Sequence, residues 1–386
     1  MKFNKSTTSN LSNTLLKLTL FFGIMTFPVY LLPSGSVQIT HILLLMFSLL
    51  VLVKIGFPRD KYFYIFLSFL IYCFLTNIFY SFYDYFVVRD STFEHYIDLI
   101  FLTYNFLLTA SLISYFKNQK RHNFIVYAIV CAILIILFHL CYQFLFGKFS
   151  FRYPALFNNP NQLGYFSVCC FSLIYIFYRN SYISYFNTIS LLVLLIFLSI
   201  MTLSKAAYIS LFLCFLFALK PINFKFSKII WLIVMLALLF FIILFFLEIS
   251  ETNFYRRMIN LPNENDSSLE VRGYFVYLKA DILQSIFGMG PKNVYAINRV
   301  EIHSTFAMIL TSYGFIGFSI FALLILLWIF DIKKSYGIYG VICVCGPTLL
   351  YGLTHNGIRF SIFYIFFVAS LFITNQIKKE KYSNNL

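Results

Sequence analysis

The sequence predicts an all-α fold: a polytopic membrane protein of about 12 transmembrane helices, one membrane domain over residues 1–386, with one large external loop between helices 9 and 10. Three observations predict it. Of 386 residues, 61% are hydrophobic and only 11% are charged, a balance that a water-soluble domain cannot bury. The apolar residues fall in runs of about 20, the length a helix needs to cross roughly 30 Å of hydrocarbon. The basic residues gather between these runs.

The first run, Leu15 to Leu32, follows Lys2, Lys5 and Lys17 and has the charge pattern of a secretory leader. It is longer than a leader's apolar core and no small-residue cleavage site follows, so it reads as a retained helix. Helices are expected at 14–32, 37–55, 62–82, 97–116, 123–146, 161–178, 184–202, 206–219, 229–248, 303–330, 337–354 and 359–376. An even number places both termini on one side. All eight cysteines, Cys73, Cys131, Cys141, Cys169, Cys170, Cys214, Cys343 and Cys345, fall inside these spans, where thiols behave as small apolar groups. They imply neither a disulfide framework nor a zinc site. Phe (51) and Tyr (29) are too abundant throughout to mark the bilayer surfaces.

The net charge of +15 raises nucleic acid as a partner, and its distribution removes that need. With both termini cytoplasmic, the inner segments hold 18 of the 29 basic and three of the 14 acidic residues, so the inside carries the whole +15 and the outside nets zero. Lys and Arg in short loops resist translocation, and the excess charge is a topology signal. Two outer segments are long enough to build something: Gly147 to Pro160 and Ile249 to Ile302.

Four short patterns lie on that outer face. The loop before the sixth span contains Phe157-Asn158-Asn159-Pro160-Asn161-Gln162-Leu163-Gly164, preceded by Arg152. Taken alone, Asn-Pro pairs simply make turns and start helices. Thr202-Leu203-Ser204-Lys205 joins the seventh and eighth spans. The large loop carries Asp266-Ser267-Ser268, then Arg272, then Gly288-Met289-Gly290; on composition it is a solvated loop whose charges cancel. At its end stand His303-Ser304, and after nine residues Gly314-Phe315-Ile316-Gly317, small residues that permit close helix approach.

Together, over about Arg152 to Gly317, these patterns resemble the bacterial O-antigen polymerases and O-antigen ligases. His303-Ser304-x9-Gly314-x-x-Gly317 is similar to the family's signature, and Phe-x-Asn-Pro-Asn-x-Leu-Gly to its motif after the fifth span. Thr202 to Lys205 resembles a Thr-x-Ser-Arg segment, with Lys205 in place of Arg, so a point charge stands where a bidentate fork is usual. In the family, an Asp-Ser/Arg segment precedes an amphipathic helix and a Gly-x-Gly turn.

The resemblance implies a membrane glycosyltransferase of the bacterial cytoplasmic (inner) membrane, acting on its outer face in lipopolysaccharide or other polysaccharide biosynthesis. Its partners would be an undecaprenyl-diphosphate-linked glycan donor, a glycan or lipid A-core acceptor, membrane lipid and other polysaccharide-assembly membrane proteins, with no nucleic acid. It implies an inverting, metal-independent reaction without a cofactor. Arg272, Lys205 and Arg152 would meet the donor diphosphate, since guanidinium and ammonium groups are worth most where water is scarce. His303 would take the acceptor hydroxyl's proton, because imidazole titrates near neutral pH. Polymerase is the expected activity and ligase the alternative. A flippase is the more distant alternative, because the spans carry almost no ionisable groups and show no related halves.

Overall fold

The computed structural model describes residues 5–33, 36–88, 94–119, 122–146, 153–202, 204, 206–211, 273–298 and 302–383. Among these residues the chain is all-α with no strand. The helices are α1 (Lys5–Met25), α2 (Ile39–Ile55), α3 (Lys61–Tyr83), α4 (Glu94–Asn118), α5 (Asn123–Leu145), α6 (Pro160–Arg179) and α7 (Tyr185–Met201). Residues 206–211 begin another. After it come three short helices, α8 (Tyr274–Tyr277), α9 (Ile282–Phe287) and α10 (Pro291–Asn298). The chain closes with α11 (Thr305–Gly340), α12 (Gly346–Thr354) and α13 (Ser361–Ser383). Among the described residues, four helical stretches are long and apolar enough to cross a membrane: Lys61–Phe86, Tyr96–Asn118, Asn123–Leu145 and Thr305–Thr354. Most of the expected eighth span and all of the ninth lie outside the described residues.

Helix α6 is the centre of the bundle. Every residue from Leu163 to Phe177 is buried, as expected of a helix that is apolar all round and enclosed by protein. Its start is written locally. Asn159 accepts a hydrogen bond from the Asn161 N–H at 2.8 Å, and Pro160 occupies the first turn, where its missing N–H costs nothing. Trp328 of α11 fixes the last helix, donating its indole N–H to Ser370 at 2.8 Å among the rings of Phe363, Phe366 and Phe367.

The two ends of the bundle differ in chemistry. At one, Lys117 pairs with Asp60 and Lys61 with Asp331, each at 2.7 Å, and Lys54 reaches Asn13 at 2.6 Å. These lysines are among those the charge count assigns to one side. At the other end, α2, α4, α6, α11 and α13 begin and α1 and α12 finish, surrounding a cavity.

Two glycines reshape the expected tenth and eleventh spans. The loop expected near 331–336 is helical, and the path bends only at Gly337, whose φ of 70° lies in the left-handed region. Gly314, expected to sit inside a straight helix, breaks it instead, with φ 63° and ψ −169°. The turn is sharp enough to bring the rings of Phe306 and Phe321 to 6.3 Å. Fifteen residues of straight helix would separate them by about 22 Å.

Candidate functional site

The break at Gly314 has an answering partner. A non-helical residue there strips the intrahelical donors from the carbonyls of Thr311 and Ser312. Met289 and Gly290 supply the replacements, donating backbone N–H groups to Thr311 at 2.9 Å and Ser312 at 3.0 Å. Such close backbone approach requires glycine. Gly288 (φ 98°) and Gly290 (φ 78°) are both left-handed, and a Cβ on Gly288 would strike Ser312 and Tyr313 main chain. The Gly-x-Gly segment and Gly314 are therefore one interlocking element. Helix α3 holds it from behind: Tyr72 donates to the Phe287 carbonyl at 2.9 Å, Tyr80 to the Gly288 carbonyl, and Lys292 pairs with Asp84 at 2.9 Å. Gly317 does allow close packing, against Tyr72 and Tyr313. Where the resemblance implies one amphipathic helix before the Gly-x-Gly turn, the chain forms two short ones, because Asp281 caps α9 through a reciprocal capping box with Gln284.

His303 stands just before α11 and is exposed. Ser304, beside it, is buried and caps the helix, accepting from the Ala307 N–H at 3.2 Å. Ser304 also bonds Tyr274 at 2.9 Å, and Tyr274 donates to the Leu353 carbonyl at 2.7 Å. Thr305 accepts from the Gly357 N–H at 2.7 Å and donates to the His355 carbonyl at 3.0 Å. The start of α11 is thus tied to the end of α12, which fixes where His303 begins.

His303 lines a cavity of about 210 Å³. The Asn-Pro-Asn loop lines it too, through Asn159, Asn161 and Gln162. So does the segment after α12, through His355, Asn356, Gly357 and Arg359. Aromatic walls come from Tyr165, Tyr351 and Phe360, and His41 of α2 completes one side. Tyr351 is the hinge of this wall. Its hydroxyl donates to the Asn161 carbonyl, its ring lies 4.4 Å from that of His355, and Gly164 lets it close in, since a Cβ there would sit 3.2 Å from the Tyr351 hydroxyl. Asn158, by contrast, points its amide at the Leu32 carbonyl at 3.1 Å and fastens the loop.

Arg152, Lys205, Asp266 and Arg272 lie outside the described residues. The residues that follow three of them are described. Gly273, with φ 81°, packs on Ile302, next to His303. Ala207, close after Lys205, packs on Gly164. Tyr153 bonds the Met201 carbonyl through its N–H at 2.9 Å and meets His139 Nδ1 through its hydroxyl at 2.7 Å. Burial pushes the Tyr153 phenol above its ordinary pKa, so it stays neutral and keeps its hydrogen bond with His139. That bond accounts for the one histidine embedded in the fifth helix.

Sequence reasoning missed the stretch from Tyr351 to Arg359. Its available signal was Arg359 at the mouth of a span otherwise free of charge. The structure pairs Arg359 with Asp98 of α4 and has Asn105 donate to the Ile358 carbonyl at 3.2 Å. No family model and no curated protein sequence matches this chain.

Proposed function

We propose that this chain is a membrane glycosyltransferase of the O-antigen polymerase and ligase kind, moving a glycan from undecaprenyl diphosphate to an acceptor hydroxyl on the outer face of the bacterial cytoplasmic membrane, as a repeat-unit polymerase. The observation that carries this reading is the shared cavity: His303 of the signature and Asn159, Asn161 and Gln162 of the Asn-Pro-Asn motif line one space. The cavity opens at the end opposite the Lys54, Lys61 and Lys117 cluster, and under the positive-inside rule that end is external.

In this mechanism His303 removes the acceptor hydroxyl proton as the hydroxyl oxygen bonds to the anomeric carbon. The bond from that carbon to the phosphate oxygen breaks, and undecaprenyl diphosphate departs with the electron pair. Attack from the opposite face inverts the centre. Arg272, Lys205 and Arg152 would meet the charge on the leaving group, a role preorganised cations fill at low dielectric cost.

The test is transfer by purified protein given an undecaprenyl-diphosphate-linked repeat unit, with either the same molecule or lipid A-core as acceptor. A ladder of products establishes polymerase. A single transfer to core establishes ligase, and absence of both overturns the proposal.

A further inference from the structure

Arg359 is fixed at both ends. Asn105 of α4 donates to the carbonyls of Ile358 and Arg359 at 3.2 and 3.3 Å, which holds the backbone. The guanidinium bonds the carboxylate of Asp98, about two turns earlier on the same helix. Cohesion between α4 and the start of α13 does not call for this pair. Asn105 already supplies it, and a buried ion pair replaced by apolar residues of similar volume is often as stable or more so. Ionisable groups inside a membrane domain are expensive, and their presence points to function.

The two partners are placed differently. Arg359 lines the cavity of about 210 Å³ together with His303, and Asp98 does not. Asp98 lines a much smaller space of about 10 Å³ with Met308 and Tyr313, and Arg359 lines that one too. The cation faces the main cavity and its carboxylate is set back from it. Among the described residues that line the main cavity there is no Asp or Glu. The groups there able to carry charge near neutral pH are Arg359, His41, His303 and His355, all of them positive when charged. A cation entering would meet no carboxylate. An anion would meet a guanidinium whose geometry is set before it arrives, and five N–H donors on a planar fork let one guanidinium hold a carboxylate and an entering oxyanion together.

We infer that Arg359 is an anion ligand of this cavity, taking a phosphate or carboxylate group, and that Asp98 is the residue that positions it. The inference rests on the glycan-transfer reading only for the source of the anion, which is then the donor diphosphate or an acidic sugar of the glycan.

The experiment uses the full-length protein in amphipol. An arginine-selective dicarbonyl reagent is applied alone and with inorganic pyrophosphate, methyl glucuronide or methyl glucoside, and modification of Arg359 is read by peptide mass spectrometry. Pyrophosphate or methyl glucuronide should slow modification of Arg359, and methyl glucoside should not. Protection by pyrophosphate makes the ligand a phosphate; protection by methyl glucuronide alone makes it an acidic sugar. Protection by neither anion, or equal protection by methyl glucoside, overturns the inference. This arm needs no variant to fold. Affinity for the protecting anion is then titrated by NMR on variants that still melt cooperatively. Arg359→Gln should weaken it about tenfold or more, the loss expected of a charge-assisted hydrogen bond, and Arg359→Lys should weaken it less. Asp98→Asn gives a test of sign. Removing a negative charge alone would tighten anion binding, whereas losing the contact that aims Arg359 weakens it, with Asp98→Glu recovering part of the loss. Unchanged affinity in Arg359→Gln overturns the ligand role, and tighter binding in Asp98→Asn overturns the positioning role. Anion protection in a protein that transfers nothing would leave the site standing and remove the glycosyltransferase reading. Transfer by a protein in which neither anion protects Arg359 would do the reverse.

Discussion

Met289 donates its backbone N–H to the Thr311 carbonyl at 2.9 Å, across the break that Gly314 makes in α11. The bond explains why the Gly-x-Gly turn and the Gly-x-x-Gly pair occur in one chain: each supplies what the other lacks. Gly314 also sits at φ 63° and ψ −169°, a region open in practice to glycine alone. Its Cβ would collide with the Gly288 N and the Ile286 carbonyl. Gly314→Ala is therefore expected to cost at least about 2 kcal/mol. Thermal unfolding in detergent measures it, and a melting temperature equal to wild type would refute the interlock.

Arg359 and Asp98 form the ion pair nearest the cavity, with side chains 29% and 13% exposed. Removing one member of a fully buried pair costs roughly 3–5 kcal/mol. Partial exposure reduces this, so Asp98→Ala and Arg359→Ala are each expected to lose about 1–3 kcal/mol, and the double variant less than their sum. The Lys61–Asp331 pair, 49% and 36% exposed, is the control. Lys61→Ala should change stability by less than about 1 kcal/mol. Additive losses at Arg359 and Asp98 in a double-mutant cycle would show that the pair contributes no coupling.

The helix pattern was legible because lipid imposes it: a run of apolar residues must satisfy its own backbone, and only a helix does so alone. The helix start at Pro160 was legible for a local reason, an Asn-Pro pair before an apolar run, whereas the tenth span, expected from 303, begins at Thr305 because Ser304 caps it. What the sequence hid was the break at Gly314. A glycine spaced three residues from Gly317 reads equally as a packing site, and only the carbonyls answered by Met289 and Gly290 decide between the two. Arg359 was hidden differently. A charge at a span boundary reads as solvated until the fold brings Asp98 beside it. Likewise His355, read in sequence as a boundary residue, lines the same cavity as His303 because the start of α11 is tied to the end of α12.

Sidedness can be tested without any assay of activity. If the cavity end is external, a cysteine placed at position 265 in the large loop should react with a membrane-impermeant maleimide in intact cells, and one at position 59 only after permeabilisation. The exposed Cys141 must be replaced first. Labelling of 59 in intact cells with protection of 265 would invert the topology and remove the outer-face site.

The last prediction concerns His303 against His355, two histidines on one cavity. His355 is built into the wall: its ring stacks on Tyr351 at 4.4 Å, Nδ1 lies 2.9 Å from the Thr354 hydroxyl, and its carbonyl receives Thr305. His355→Ala should mainly lower stability, by about 1 kcal/mol, with a proportionate loss of folded protein and little loss of turnover per folded molecule. His303 is exposed, while the neighbouring Ser304 does the capping. His303→Ala should leave melting within about 0.5 kcal/mol of wild type, since it is exposed and none of the hydrogen bonds at the start of α11 among the described residues uses its side chain. As the acceptor-activating base it should nonetheless lower turnover by about 10²- to 10⁴-fold while the donor lipid still binds, because a base acts on the chemical step alone. Product formation, donor affinity and melting temperature measured together on both variants separate the two roles. A His303→Ala enzyme with normal turnover, or one that fails only because it no longer folds, would assign the proton to another group on the cavity wall.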